Sequence, residues 1–268
     1  MIISTETVSS ATAGREGAVE KMADYLRSHS SEDVRVIAYV RSPRSFISSA
    51  FQQRIKTGLD SKLANLKVWP DCRRRFKKLD RIFGRENVTL KLFQRDSDVV
   101  LDFAREIGVT LDPGGVVRVN DSLSLEVVAI LHVQTRFRNR FKPGIPGELR
   151  RRFVNRISKL GSRRFILSDN LTDPLVKANR TDLDWMGARL DAPLPEPPVP
   201  KGQGVKDEAD MINAAFAACP LIDQMIADLS DTDKLVYEVV RRLDLLGDLS
   251  QPLPLQKKEK DIRKRIPT

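Results

Sequence analysis

The sequence predicts an α/β fold, a parallel sheet flanked by helices, with a helical C-terminal part. Three observations predict it. Near-continuous β-forming runs alternate with amphipathic stretches up to Val109, strand signals are lost over residues 121–189, and a proline-rich breaker interrupts the chain at 191–204. The expected organisation is an α/β domain at 1–190, a linker at 191–204 and a helical extension with a basic tail at 205–268.

Ile2 and Ile3 make a short apolar run that ends at once in Ser4, Thr5 and Glu6, and it reads as a strand cut close to its beginning. Between Arg15 and His29, apolar Ala18, Met22, Tyr25 and Leu26 recur at helical spacing among charges, which predicts an amphipathic helix. Val34 to Val40 is strongly β-forming, and its continuous apolarity suits a buried parallel strand. Strand, helix and strand then make a crossover unit. Leu63 to Phe83 contains "CRRRFKK" and carries Phe76, Leu79, Ile82 and Phe83 as the apolar stripe of a helix. "ENVTLKLF" is a further strand. "SDVVLDFAREIGV" follows as a helix, with Ser97 as N-cap, Gly108 as stop, and Val100, Leu101, Ala104 and Ile107 facing inward.

From residue 121 to 189 the chain reads as helical, without a convincing strand. "DLDWMGARL" puts Leu183, Met186 and Leu190 on one face with Trp185 beside it, as expected of a helix docked on the sheet. "DAPLPEPPVPKGQG" reads as a semi-rigid linker. Residues 206–247 suggest two or three modest helices, and "KKEKDIRKRIPT" a solvated basic tail.

Composition narrows the function classes. A hydrophobic fraction of 41% over 268 residues can supply a sizeable core. Lys and Arg number 46 against 36 for Asp and Glu, and the net charge of +10 favours phosphate-bearing or polyanionic partners. Cys72 and Cys219 show no CxxC spacing, so neither a disulfide framework nor a zinc site is expected, and a reducing cytoplasm is the default location. No stretch approaches about 18 uninterrupted apolar residues, so no membrane span is expected. The runs "CRRRFKK", "RFRNRFK" and "RRRF" read as solvated helix faces or as a basic surface for an anionic glycan, lipid headgroups or nucleic acid. Aromatics at 6%, with no finger, RNP or KH pattern, argue against sequence-specific nucleic-acid recognition.

The most informative stretch is "RVIAYVRSPRSFISSAFQQR", residues 35–54. A strand hands over to a helix at Arg41, Ser42 can cap that helix, and Pro43 fits its first turn, where a missing N–H costs nothing. Steps of three and four residues place Ser42, Ser45 and Ser49 on one polar stripe. In open α/β sheets ligands gather at the carboxyl ends of strands, and a guanidinium, hydroxyls and a helix N-terminus together suit a phosphate. The alternative is a surface arginine beside ordinary capping serines.

The same stretch, continued to "RIKTG", resembles the 3′-phosphate-binding element of PAPS-dependent sulfotransferases, in which a strand ends in Arg, then x-Pro, with Ser eight positions after the Arg. Here those positions are Arg41, Pro43 and Ser49. "FGRENVTLKLFQRDSDVVLDFAREIGV", "VNDSLSLEVVAIL", "GSRRFILSDNL" and "DLDWMGARL" are similar, in order, to further segments of bacterial members, so the resemblance covers about residues 1 to 192. It implies a P-loop-like sulfotransferase fold, PAPS as sulfuryl donor without a metal, and Arg41 and Ser49 on the donor's 3′-phosphate.

It further implies a Lys- or Arg-bearing phosphosulfate loop ahead of this stretch. Only Met1 precedes Ile2, and "ATAGREG" follows the wrong strand, so the chain is expected to be N-terminally incomplete, with weak nucleotide binding and poor turnover. Glu6, at the end of "MIISTE", resembles the glutamate that some glycan sulfotransferases use as general base. The expected activity is sulfuryl transfer to a hydroxyl acceptor of the carbohydrate type. The alternative is a noncatalytic basic module that binds polyanions on the same scaffold. His29 and His132 match no motif and are expected to be structural.

Overall fold

A computed structural model describes residues 2–3, 17–29, 34–59, 62–94, 98–116, 122–138, 147–196, 198–200 and 202–227. In chain order its elements are α1 (Ala18–Ser28), β1 (Val36–Val40), α2 (Pro43–Lys56), α3 (Cys72–Phe83), β2 (Val88–Leu92), α4 (Val99–Glu106), α5 (Leu125–Val133), α6 (Gly147–Ile157), α7 (Asp169–Ala178), α8 (Arg180–Leu190), α9 (Glu208–Ala217) and α10 (Cys219–Ala227). The chain is thus α/β and mostly helical. Its sheet, among the described residues, is the parallel pair β1–β2, in register from Val36 opposite Val88 to Val40 opposite Leu92. Parallel strands need a long crossover, and α2 and α3 supply it.

The expected opening strand is not formed. Ile2 and Ile3 belong to no strand, and the two residues are 64% and 51% exposed. A β-branched pair has no strand without a neighbour to share its backbone hydrogen bonds, and none is present among the described residues.

Alternation along the strands sorts the sheet's two faces. Val36, Ala38, Val40, Val88 and Leu90 join α1, α3 and α8 in one apolar cluster, around Val19, Ala23, Phe76, Leu79, Phe83 and Met186. The helix read from "DLDWMGARL" docks there as expected. Arg189 fastens it, donating from Nε and Nη2 to the two Asp80 oxygens at 3.0 and 2.9 Å and from Nη2 to the Val88 carbonyl at 2.7 Å. The opposite face presents Tyr39 and Lys91 to α4. Tyr39 Oη donates to Asp102 at 2.6 Å, and Lys91 Nζ reaches Asp102 and Glu106. Burial, then Asp102, pushes the Tyr39 hydroxyl up to about 12.

That polar pairing decides the rotation of α4. Asp102 and Glu106, one turn apart, face the sheet, so Val100, expected inward, is 48% exposed, while Ala104 is buried. The cap is Asp98, whose carboxylate accepts from the Val100 and Leu101 amides, and Ser97 lies outside the described residues.

A second cluster joins α2, α5, α6 and α9 through Ile47, Phe51, Ile55, Val127, Leu131, Val154, Ile157 and Met211. The stretch expected as a linker is seated along this body. Val199 N donates to Asp169, and across a parallel bridge between Leu167 and Val205 the Ser168 amide donates to the Val205 carbonyl at 2.9 Å and the Val205 amide to the Ile166 carbonyl at 2.8 Å. Gly204, at φ +89°, lies so close to Ser168 that a Cβ would meet its backbone at 3.1 Å.

His132, expected to be structural, packs beside Phe51, with ring centroids 5.8 Å apart. It is buried in α5 and its Nε2 lies 2.5 Å from Glu208 Oε2 on α9, while Glu208 Oε1 accepts from the Leu63 amide at 3.1 Å. Burial pushes the Glu208 carboxyl up, but His132, the Leu63 amide and Arg136 outweigh it and hold it below its ordinary value. A carboxyl with a lower pKa in the folded than in the unfolded chain contributes stability above the unfolded pKa and loses it as pH falls through the folded one. Urea midpoints measured from about pH 7 down to about pH 3 are therefore expected to fall, and Glu208→Gln to lower the midpoint at neutral pH and flatten that fall. An equally steep fall in the variant would remove Glu208 from the acid response.

Candidate anion site at the β1–α2 corner

Local chemistry starts α2 where the sequence placed it. Ser42 is the N-cap and its Oγ accepts from Ser45 N, Pro43 is the first helical residue, and Phe46 N donates to the Ser42 carbonyl at 2.9 Å. Burial of Ile47, Phe51 and Ile55 turns the opposite stripe outward, leaving Ser45 exposed and Ser42 and Ser49 half-buried.

Arg41 stands at the carboxyl end of β1. Its Nη1 donates to Ser49 Oγ at 3.2 Å, and its guanidinium lies 4.2 Å from the centroid of the Phe93 ring. Phe93 is held there by continuation of the ladder, its amide donating to the Val40 carbonyl at 2.7 Å. The two residues singled out in the sequence are therefore adjacent in space, and Arg41 is exposed. Glu6 lies outside the described residues, as does "ATAGREG" apart from Gly17.

Three charged residues here were not anticipated. Arg44 follows Pro43 in the first turn of α2 and is largely buried. It donates to Asp169, to Asp173 at 2.6 Å and to Thr172 Oγ1 at 3.2 Å, all on α7, and its Nε lies 3.2 Å from Glu196. Asp169 and Asp173 are one helical turn apart, a spacing that suits a shared cation, and this was the available signal. Glu196 is the only acid between Asp191 and Asp207, and its Oε2 accepts from the Arg44 amide at 3.3 Å. Burial pushes the Glu196 carboxyl up to about 7 against the pull of Arg44. The third is Arg75 on α3, whose guanidinium lies 5.4 Å from the Phe46 ring centroid and whose buried Nε has no hydrogen-bond partner among the described residues. Burial draws its pKa down.

The first-turn amides can now be counted. Pro43 has no N–H, Arg44 N is taken by Glu196, and Ser45 N by Ser42 Oγ. The corner thus brings a guanidinium and hydroxyls together at the helix start, where the first-turn amides are engaged. No thiolate chemistry competes here. Cys72, the buried thiol, is pushed up to about 12 by burial.

Away from the corner, α6 turns Arg151, Arg152 and Arg156 outward, and Lys159 just beyond its end extends this exposed basic face. Among the described residues, no helix is long and apolar enough to cross a membrane. Comparison with family models, curated proteins and solved structures finds no match to this chain.

Proposed function

We propose that the chain is a sulfotransferase-like protein of P-loop-like fold that transfers a sulfuryl group from PAPS to a hydroxyl acceptor of the carbohydrate type, in the cytoplasm. One observation carries the reading: the Arg41 guanidinium and Ser49 hydroxyl meet at 3.2 Å at the carboxyl end of a parallel strand. A cation and a hydroxyl so placed can each take one oxygen of a phosphate, with the Phe93 ring backing the guanidinium. By the resemblance, the pair takes the ribose-linked phosphate rather than the sulfuryl end of the donor. When bound, the donor supplies the sulfuryl group. Of this chain's own residues, Arg41 and Ser49 hold and discriminate the 3′-phosphate, and Glu6 accepts the proton of the acceptor hydroxyl.

Titration with 3′,5′-bisphosphoadenosine and with 5′-AMP tests the reading. The wild-type protein is expected to prefer the bisphosphate, and Arg41→Ala to weaken it about tenfold or more, leaving 5′-AMP nearly unchanged, as for loss of one charge-assisted contact. Equal loss for both nucleotides, or no preference at the start, rejects it.

The exposed basic face of α6 favours a second reading, a noncatalytic module that binds polyanions. In that case both nucleotides bind feebly, with steep salt dependence and no response to Arg41→Ala.

A further inference from the structure

We propose that residues 192–196 and 198–200 form an intramolecular strap, latched by Glu196, that occupies the Arg44 amide at the β1–α2 corner and must lift before a phosphate can use that amide. The inference rests on the reading of that corner as a phosphate site.

Two features locate the strap and one identifies the latch. On one side Leu194 packs into the cluster around Met186, and on the other the Val199 amide donates to Asp169. Between these anchors Glu196 reaches the Arg44 amide, the one first-turn N–H not satisfied by α2's own cap. A carboxyl oxygen that accepts from a first-turn amide occupies the place an external anion would take there. Strap and phosphate are therefore alternatives at that amide, and each weakens the other.

The latch is poised rather than tight. A single guanidinium, Arg44, faces Glu196 from α2, while Asp169 and Asp173 face the same guanidinium from α7 at shorter range. Glu196 Oε1 is buried with no hydrogen-bond partner among the described residues. Burial, only partly offset by Arg44, pushes the seated carboxyl up to about 7. A group whose pKa rises on closing favours the closed form at low pH, so the latch is secure when Glu196 is protonated and loosens as pH rises through neutrality.

Amide hydrogen exchange at Arg44 in the full chain, corrected for intrinsic rate and followed at about pH 6 and about pH 8, reads the latch without any ligand. Wild-type protection is expected to fall with pH. Glu196→Gln, neutral and still an acceptor, stays protected at both values, and Glu196→Ala is unprotected at both. Affinity for 3′,5′-bisphosphoadenosine is expected to rise about tenfold in Glu196→Ala, the factor for a strap closed about nine-tenths of the time. Wild-type levels of Arg44 protection in Glu196→Ala, or protection in the wild type that ignores pH, overturn the latch. Arg41-dependent binding with no gain in Glu196→Ala overturns the competition and leaves the phosphate reading standing. Failure of the bisphosphate to bind any variant, with exchange behaving as expected, rejects the phosphate reading and leaves the latch.

Discussion

Arg150→Ala is expected to cost about 3 kcal/mol of folding stability or more, among the largest effects of any single polar substitution here. α2 ends in a local motif: Gly58, at φ +80°, follows Thr57, the Gly58 amide donates to the Ile55 carbonyl and the Leu59 amide to the Arg54 carbonyl. That motif leaves the Lys56 carbonyl unsatisfied. Arg150, buried on α6, supplies the donor from Nε at 2.8 Å, while its Nη2 bonds the Ile55 carbonyl and, at 2.8 Å, Thr135 Oγ1. The guanidinium is a buried cation whose charge faces the negative end of a helix, and burial draws its pKa down. Truncation leaves buried acceptors without donors and a void beside Gly58, which approaches Arg150 so closely that a Cβ there would meet Nε at 3.0 Å. Urea denaturation measures the loss. Arg150→Met keeps the volume and removes the donors, so it should recover only the packing part. A loss below about 1 kcal/mol in the alanine variant would show that water replaces the arginine at no cost.

Asp182→Ala carries the second large effect, about 2 kcal/mol or more, through a helix to which Asp182 does not belong. Asp71 precedes α3 and is a good capping residue by type, yet it sits at φ +52° and makes no side-chain cap. Asp182, from the first turn of α8, takes its place. Its oxygens accept from the Cys72 and Arg73 amides at 3.0 and 2.6 Å and from Trp69 Nε1 at 2.6 Å. One carboxylate therefore caps α3, pins the extended run before it and ties α8 to both. Asp182→Asn keeps an acceptor without the charge and is expected to lose about half as much. Thermal unfolding of the pair, with Trp69 fluorescence as a local probe, checks this. A stable alanine variant with an unmoved Trp69 signal would reassign the cap to solvent.

The site and fold were legible where a single segment carries its own instructions. Val34–Val40 and "ENVTLKLF" announce strands because a buried parallel strand has to be apolar throughout. Ser42, Pro43 and the 42–45–49 spacing announce the start of α2 and place Ser49 two turns along from Arg41, because capping and the 3.6-residue period are local. The rotation of α4 was misread because hydrophobic spacing alone put Val100 inward, whereas Lys91 and Tyr39, on different strands, bring Asp102 to the sheet. Arg44 and Glu196 escaped notice because a buried ion pair linking positions 152 residues apart leaves no periodic trace.

From residues alone came the α/β alternation, the two strand segments at Val34–Val40 and "ENVTLKLF", the polar stripe of α2 and the arginine at its head, since each follows from side-chain periodicity and capping within a few turns of chain. Only the folded chain decided which side chains close the helix ends left open locally: Asp182 on α3, Arg150 on α2 and Glu196 on the first turn of α2. Backbone groups without a local partner have to find one before they are buried, and which distant side chain arrives depends on packing that no single segment encodes.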